Sequence, residues 1–314
     1  MNGMEFNENF FFQEGLPMLR HDFPDYQELI AAGLVGEGSE CFGYDDDLSR
    51  DHDWNTGFCL WLEEDDFDRI GLRMHNAYEE LIRRKSGQIP CASLEDSSRR
   101  RGVFPISSFF KRFINRETLP GSNSEWLKLP EEYLAVCTNG KVFYDPLGAF
   151  SDFRNHLLDY YPEDIRLKKI AARCYSMAQD GQYNFPRSLQ RKDPVAANHA
   201  LARFIHAACS LAYLLLKRYK PFYKWMHRGL LELDTPGPQL AGLLERLSDA
   251  PGETSQDRNV DRLDTIEETS ALLIRALQDF DLSNSSSSFL MKHATVIQEF
   301  IEDPNIRRLP LGTG

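Results

Sequence analysis

The stretch that decides the fold is "GLVGEGSECFGYDDDLSRDHDWNTGFCLWL", Gly33 to Leu62. It carries a Gly-Ser step at 38–39, an acidic passage (Glu37, Glu40, Asp45, Asp46, Asp47, Asp51 and Asp53), and the compact apolar run 57–62. That run has the length and aromatic content of a buried strand. An acidic loop is ordinarily a solvated face; the competing reading is a set of oxygen ligands for a cation. Asp51 and Asp53 flank His52 at the front of the strand-like run. In an extended chain alternate residues share a face, so both carboxylates point one way and His52 the other. Two carboxylates on one face are hard oxygen ligands suited to Mg²⁺, and a pair of such ions bridges phosphates well. Gly38 lets the backbone approach a phosphate closely, and the Ser39 hydroxyl with nearby amides can hold its oxygens. Asp45, Asp46 and Asp47 read as turn formers and caps, His52 as a structural residue and Trp54 as core.

Outward from this stretch, residues from about Phe10 to Ala32 read as helical with an interruption near Pro24, and 65–85 as an amphipathic helix. Its acidic start and basic end suit the helix dipole. A short apolar run, "GVFPI", precedes a helix around 107–115, and Asn139-Gly140 between two apolar runs predicts a hairpin. After Phe150 the pattern turns helical, with the longest helix over roughly 194–218 and two more near 260–280 and 285–302. This order predicts an α/β (α+β) chain: a mixed sheet flanked by helices over 1–150, then a helical domain over 151–314 with a linker at 248–259.

The formal net charge of −12 and pI near 5.2 argue against a long nucleic-acid track, which needs clustered Lys and Arg. Six cysteines are scattered without zinc spacing, as in a reduced, cytoplasmic protein. The most apolar run, 207–216, is about half of what a bilayer requires, so no membrane association is expected.

A second constellation lies in "GQYNFPRSLQRKD" (181–193) and "KRYKPFYKW" (217–225). Arg187 and Arg191, four apart, would stack on one helix face and clamp phosphate oxygens. Lys220 and Lys224 stand among aromatics and are candidates for the same work, against the alternative that the aromatics are core and the lysines reach to solvent. The "RRR" at 99–101 reads as a solvated loop patch.

The order of Gly-Ser, acidic turn, and Asp-x-Asp running into a strand resembles the signature of the polymerase-β-type nucleotidyltransferase superfamily. The wording of 36–54 and 181–225 resembles an uncharacterised bacterial group within its kanamycin-nucleotidyltransferase-like branch. The resemblance implies a nucleotidyltransferase-like mixed sheet joined to a helical domain. By it, Gly38 and Ser39 hold a triphosphate, and Asp51 and Asp53 hold Mg²⁺, two ions in all. A third carboxylate belongs on a later strand. The run "RGVFPI" has no acid, so Asp145, closing "KVFYD", is the candidate, with a turn-starting Asp before Pro146 as the rival reading.

The expected function is that of a Mg²⁺-dependent, cytoplasmic nucleotidyltransferase. It would take a nucleoside triphosphate, ATP first, and pass the monophosphate to a hydroxyl of a small-molecule or protein acceptor, releasing pyrophosphate. The alternative is a nucleotide-binding or interaction protein on the same scaffold without turnover. No long nucleic acid or membrane partner is expected, and a homodimer is left open.

Overall fold

The computed structural model describes residues 2–46, 56–86, 100–250, 252 and 254–314. The chain divides into two compact units, residues 1–119 with 133–159, and residues 120–132 with 160–314.

The first unit holds a four-stranded mixed sheet: β1 (Ala31–Leu34), β2 (Cys59–Leu62), β3 (Gly102–Pro105) and β4 (Lys141–Tyr144) in the order β3-β2-β1-β4. β1 runs antiparallel to β2 and to β4, while β3 is parallel to β2. Ahead of the sheet come α1 (Gly3–Phe10), a π-helical turn and α2 (Leu16–Asp22). A four-residue helix, α3 (Ser39–Phe42), follows β1, and α4 (Glu64–Ser86) follows β2.

The run 57–62 is continuously apolar because β2 is buried on both faces. Phe58, Leu60 and Leu62 enter one core with Phe11, Leu19 and, from α4, Met74 and Leu81. Trp61 points the other way and stacks on Phe150, with ring centroids 3.8 Å apart. Phe109 of α5 (Ile106–Ile114) meets the same indole edge-on at 5.4 Å. Phe150 belongs to α8 (Ala149–Leu158), which β4 leads into.

Two expectations are corrected. The passage from Phe10 to Ala32 is helical to Asp22, resumes only as a 3-10 turn at Gln27–Leu29, and ends in strand β1. The alanines at 31–32 have good helix propensity, but burial inside the sheet overrides it. Asn139-Gly140 does not turn a hairpin: the preceding apolar run is helix α7 (Glu131–Thr138), and the pair joins it to β4. Gly140 has φ +61°, and a Cβ there would lie 2.0 Å from the Leu34 carbonyl oxygen, so only glycine fits.

The second unit is helical. Its elements are α6 (Asn123–Leu127), α9 (Glu163–Met177), α10 (Phe185–Gln190), α11 (Pro194–Leu215), α12 (Tyr223–Leu230), α13 (Gly237–Ser248), α14 (Ser255–Asp279), α15 (Leu290–Glu299) and α16 (Pro304–Arg307). α9 is the centre, packed on both α11 and α15. Its Lys168 is fully buried, with Nζ donating to Gln298 Oε1 (2.7 Å) and to the Leu309 and Pro310 carbonyls. Of the 248–259 passage, Ser248 closes α13 and residues 255–259 open α14. Among the described residues no helix is long and apolar enough to cross a membrane.

Trp61→Ala removes a fully buried ring from the middle strand. It should cost about 3–5 kcal/mol in urea unfolding; a loss under about 1 kcal/mol would show that the stack with Phe150 is not a support of the sheet.

Candidate functional site

The sheet register brings four chain segments to one end. Gly33 pairs with Cys59, Cys59 with Gly102, and Leu34 with Lys141. The loop after β1, the entry to β2, the entry to β3 and the entry to β4 therefore meet at the same edge. Gly38 and Ser39 lie in the first of these segments, Arg100 and Arg101 in the third, Asn139 and Gly140 in the fourth.

Asn139 shapes the glycine loop. Its Oδ1 accepts from the Gly36 amide at 3.0 Å and its Nδ2 donates to the Gly36 carbonyl at 2.7 Å. The Gly140 amide donates to the Cys41 carbonyl at 2.8 Å, and Arg154 holds the Thr138 and Asn139 carbonyls. Within the loop, Ser39 is 3% exposed and its hydroxyl has no hydrogen-bond partner. A buried hydroxyl left unpaired is costly, and a phosphate oxygen would satisfy it.

The acids of the loop have separate partners. Glu37 pairs with Arg112 at 2.9 Å. Glu40 accepts from Arg101 Nη2 at 2.7 Å, and Asp45 accepts from the Gly3 amide at 2.8 Å, taking one of the open donors that begin α1. Burial, reinforced by the adjacent Glu40 charge, pushes the Cys41 thiol well above its usual range, so it is no nucleophile.

Asp51 and Asp53, with His52, Trp54 and Asp47, lie outside the described residues. Among the described residues no group of three or more His, Cys, Asp or Glu could hold a metal ion. Asp145 is described, and its geometry is that of a turn-and-helix cap. Oδ1 accepts from the Gly148 amide (3.0 Å) and Oδ2 from the Ser151 amide (2.7 Å). It also follows Tyr144, which pairs with Ala32, so it stands a strand length from the Ser39 end, roughly 10 Å.

The second constellation is dispersed over the helical unit. Arg187 and Arg191 are exposed, one turn apart across the end of α10. Arg187 donates to the Tyr183 hydroxyl at 2.8 Å and lies over that ring. Lys224 lies over Trp225 at 5.4 Å. Lys220, read from the sequence as a phosphate candidate, is 1% exposed and its ammonium is paired with Glu132. A cation that deep is tolerated because its counter-charge is built in.

That pair borders a cleft of about 260 Å³ lined by residues 127–132, Lys169, Arg173, His206 and Gly314. Glu131 binds Arg173 (2.9 Å) and the Ser210 hydroxyl (2.7 Å) beneath it. Burial pushes the Lys169 ammonium down to about 8 against the opposing pull of Glu131. Burial would raise the Glu132 carboxyl, but the hydrogen bond from His206 and the Lys220 charge outweigh it and hold it well below the usual range.

The sequence reading missed Asn139, Glu40 and Arg101. Asn139 looked like turn chemistry and Arg101 like solvent-facing charge. The available signal was the position of Asn139 and Arg101 just before a strand, and of Glu40 just after the Gly38-Ser39 step.

A family model described as a domain of unknown function (DUF4037) matches residues 126–226. No curated protein matches the chain. Among solved structures, the chain is similar to a nucleotidyltransferase-like protein from Exiguobacterium sibiricum 255-15, with 13% identity and a TM-score of 0.40 over 94% of this chain and 91% of that one. The mixed-sheet α/β class stands on the strand pairing above.

Asn139→Ala strips both partners from Gly36, and each open backbone group costs about 1–3 kcal/mol. The Gly36 amide should exchange with solvent markedly faster, while amides in α9 stay as protected as before.

The depressed Glu132 carboxyl gives a pH dependence of known direction. Its contribution is complete above the ordinary glutamate value of 4.5 and is lost as pH falls through the lower folded-state value. Glu132→Gln should be less stable than wild type at pH 7, with the gap narrowing below about pH 4.5. A gap independent of pH would rule out the charge as its cause.

Proposed function

We propose that this protein is a nucleotidyltransferase of the polymerase-β type, moving a nucleoside monophosphate from a triphosphate to a hydroxyl acceptor with release of pyrophosphate. The observation that carries the reading is Ser39: a buried hydroxyl without a partner, one residue past a glycine, on the loop leaving the central strand β1. The chain also enters β2 at that end of the sheet, and Asp53 stands three residues before Thr56 in the sequence. Asp51 and Asp53 are the proposed ligands of Mg²⁺, and carboxylate oxygens are donors that this ion prefers. Bound there, Mg²⁺ would neutralise phosphate charge.

The protein's own part is positioning. Ser39 and the backbone at Gly38 would hold the terminal phosphates, and Asn139 keeps that loop in shape. Arg187, Arg191 and Lys224 are exposed cations of the helical unit, proposed as phosphate contacts on the sequence reading alone, and ATP is the first nucleotide to try. The acceptor is proposed as a small hydroxylated molecule or a protein side chain. Placement in the kanamycin-nucleotidyltransferase-like branch rests on the sequence wording of 36–54 and 181–225.

One observation favours the second reading, a nucleotide binder without turnover. Asp145, the candidate third carboxylate, has both oxygens taken by backbone amides at the far end of the sheet. No role as a base is assigned to it.

The double change Asp51→Asn with Asp53→Asn should abolish Mg²⁺-dependent ATP binding, measured by calorimetry, and leave the circular dichroism spectrum unchanged. Undiminished Mg²⁺-dependent binding would refute the metal assignment. Binding by wild type with no pyrophosphate released across a panel of hydroxyl acceptors would favour the binder.

A further inference from the structure

Glu40 has an unusual position for a loop acid. A Cβ on Gly38 would come within 2.3 to 2.5 Å of its Oε1, Oε2 and Cδ. The carboxylate therefore fills the open side of the very glycine whose bareness would admit a phosphate. It is 6% exposed; Oε1 takes the Arg101 hydrogen bond and Oε2 has no hydrogen-bond partner. Ser39, its neighbour, likewise presents a buried hydroxyl without a partner. A buried carboxylate with one oxygen unsatisfied is an expensive arrangement, and an anion with more oxygens would use the same surroundings better.

Arg101 comes to this point from outside the loop. It precedes Gly102, which pairs with Cys59, so the parallel register of β3 on β2 delivers the guanidinium to the Ser39 end of the sheet. Its side chain is 12% exposed and runs past Gly57. A guanidinium fork accepts a carboxylate or a phosphate in the same planar geometry.

We infer that Arg101 is a ligand of the triphosphate, and that the Glu40 carboxylate stands in for a phosphate group until the nucleotide displaces it. This rests on the nucleotidyltransferase reading and adds to it a cation from β3 and a built-in competitor. The competitor lowers apparent affinity by the fraction of molecules in which it occupies the cradle. It also selects for ligands with enough negative charge to replace it, a triphosphate over a monophosphate.

Calorimetry with MgATP and with inorganic tripolyphosphate tests this on the full chain. Glu40→Gln should bind both more tightly than wild type, by about threefold to tenfold. Arg101→Gln alone leaves Glu40 buried without its cation, so Arg101 is tested in the Glu40→Gln background. There the double variant should bind about tenfold more weakly than Glu40→Gln alone. Ser39→Ala reports on the cradle itself. If Ser39→Ala weakens binding while Glu40→Gln and the double variant match wild type, the inference is overturned and the cradle reading survives. If wild type binds neither ligand, or Ser39→Ala changes nothing, both fall.

Discussion

The candidate site depends on how closely β4 lies against β1. A side chain on Gly33 would meet the Lys141 carbonyl oxygen at 2.5 Å, and one on Gly140 would meet the Leu34 carbonyl oxygen at 2.0 Å. With no Cβ at either place, the two strands pair through the register shift between Ala32 and Gly33. Asn139 then reaches Gly36 with both ends of its amide. The loop bearing Ser39 is thus held by a residue a hundred positions away, and its conformation is a property of the sheet as much as of its own glycines.

The acidity of that loop has a corresponding logic. Glu37 is held by an arginine from α5 and Glu40 by one from the start of β3, while Asp45 serves the first turn of α1. Charges brought together in sequence are spread over different elements, which lowers their mutual repulsion. Partly buried pairs such as Glu40 with Arg101 specify geometry more than they stabilise, because desolvation offsets most of their attraction.

The helical unit uses the opposite arrangement, gathering charges into its interior. Glu131, Arg173 and Ser210 form one linked group, Glu132, Lys220 and His206 a second, and Lys168 is held by carbonyls and an amide. Groups like these resist repacking, since removing one partner strands a buried charge. The residues matched by the DUF4037 model include both of the Glu-centred groups.

Periodicity in the sequence determined the elements whose patterns are strong. The run at 57–62 is a strand because apolar side chains on both faces need two cores, and Glu64–Ser86 is a helix because its apolar stripe and end charges agree. The Gly38-Ser39 step was legible as a break between elements, and Gly38 does lie between β1 and α3. Tertiary structure decided the rest. Ala31–Leu34 became a strand, and Leu134–Cys137 a helix, through burial that local propensity does not encode. Lys220 turned inward because Glu132 awaits it, and Asp145 became a cap because antiparallel pairing carries the end of β4 away from Ser39. Arg101 moved from a loop patch to Glu40, beside Ser39, for the matching reason: strand register sets which distant side chains meet, and register is a property of the assembled sheet.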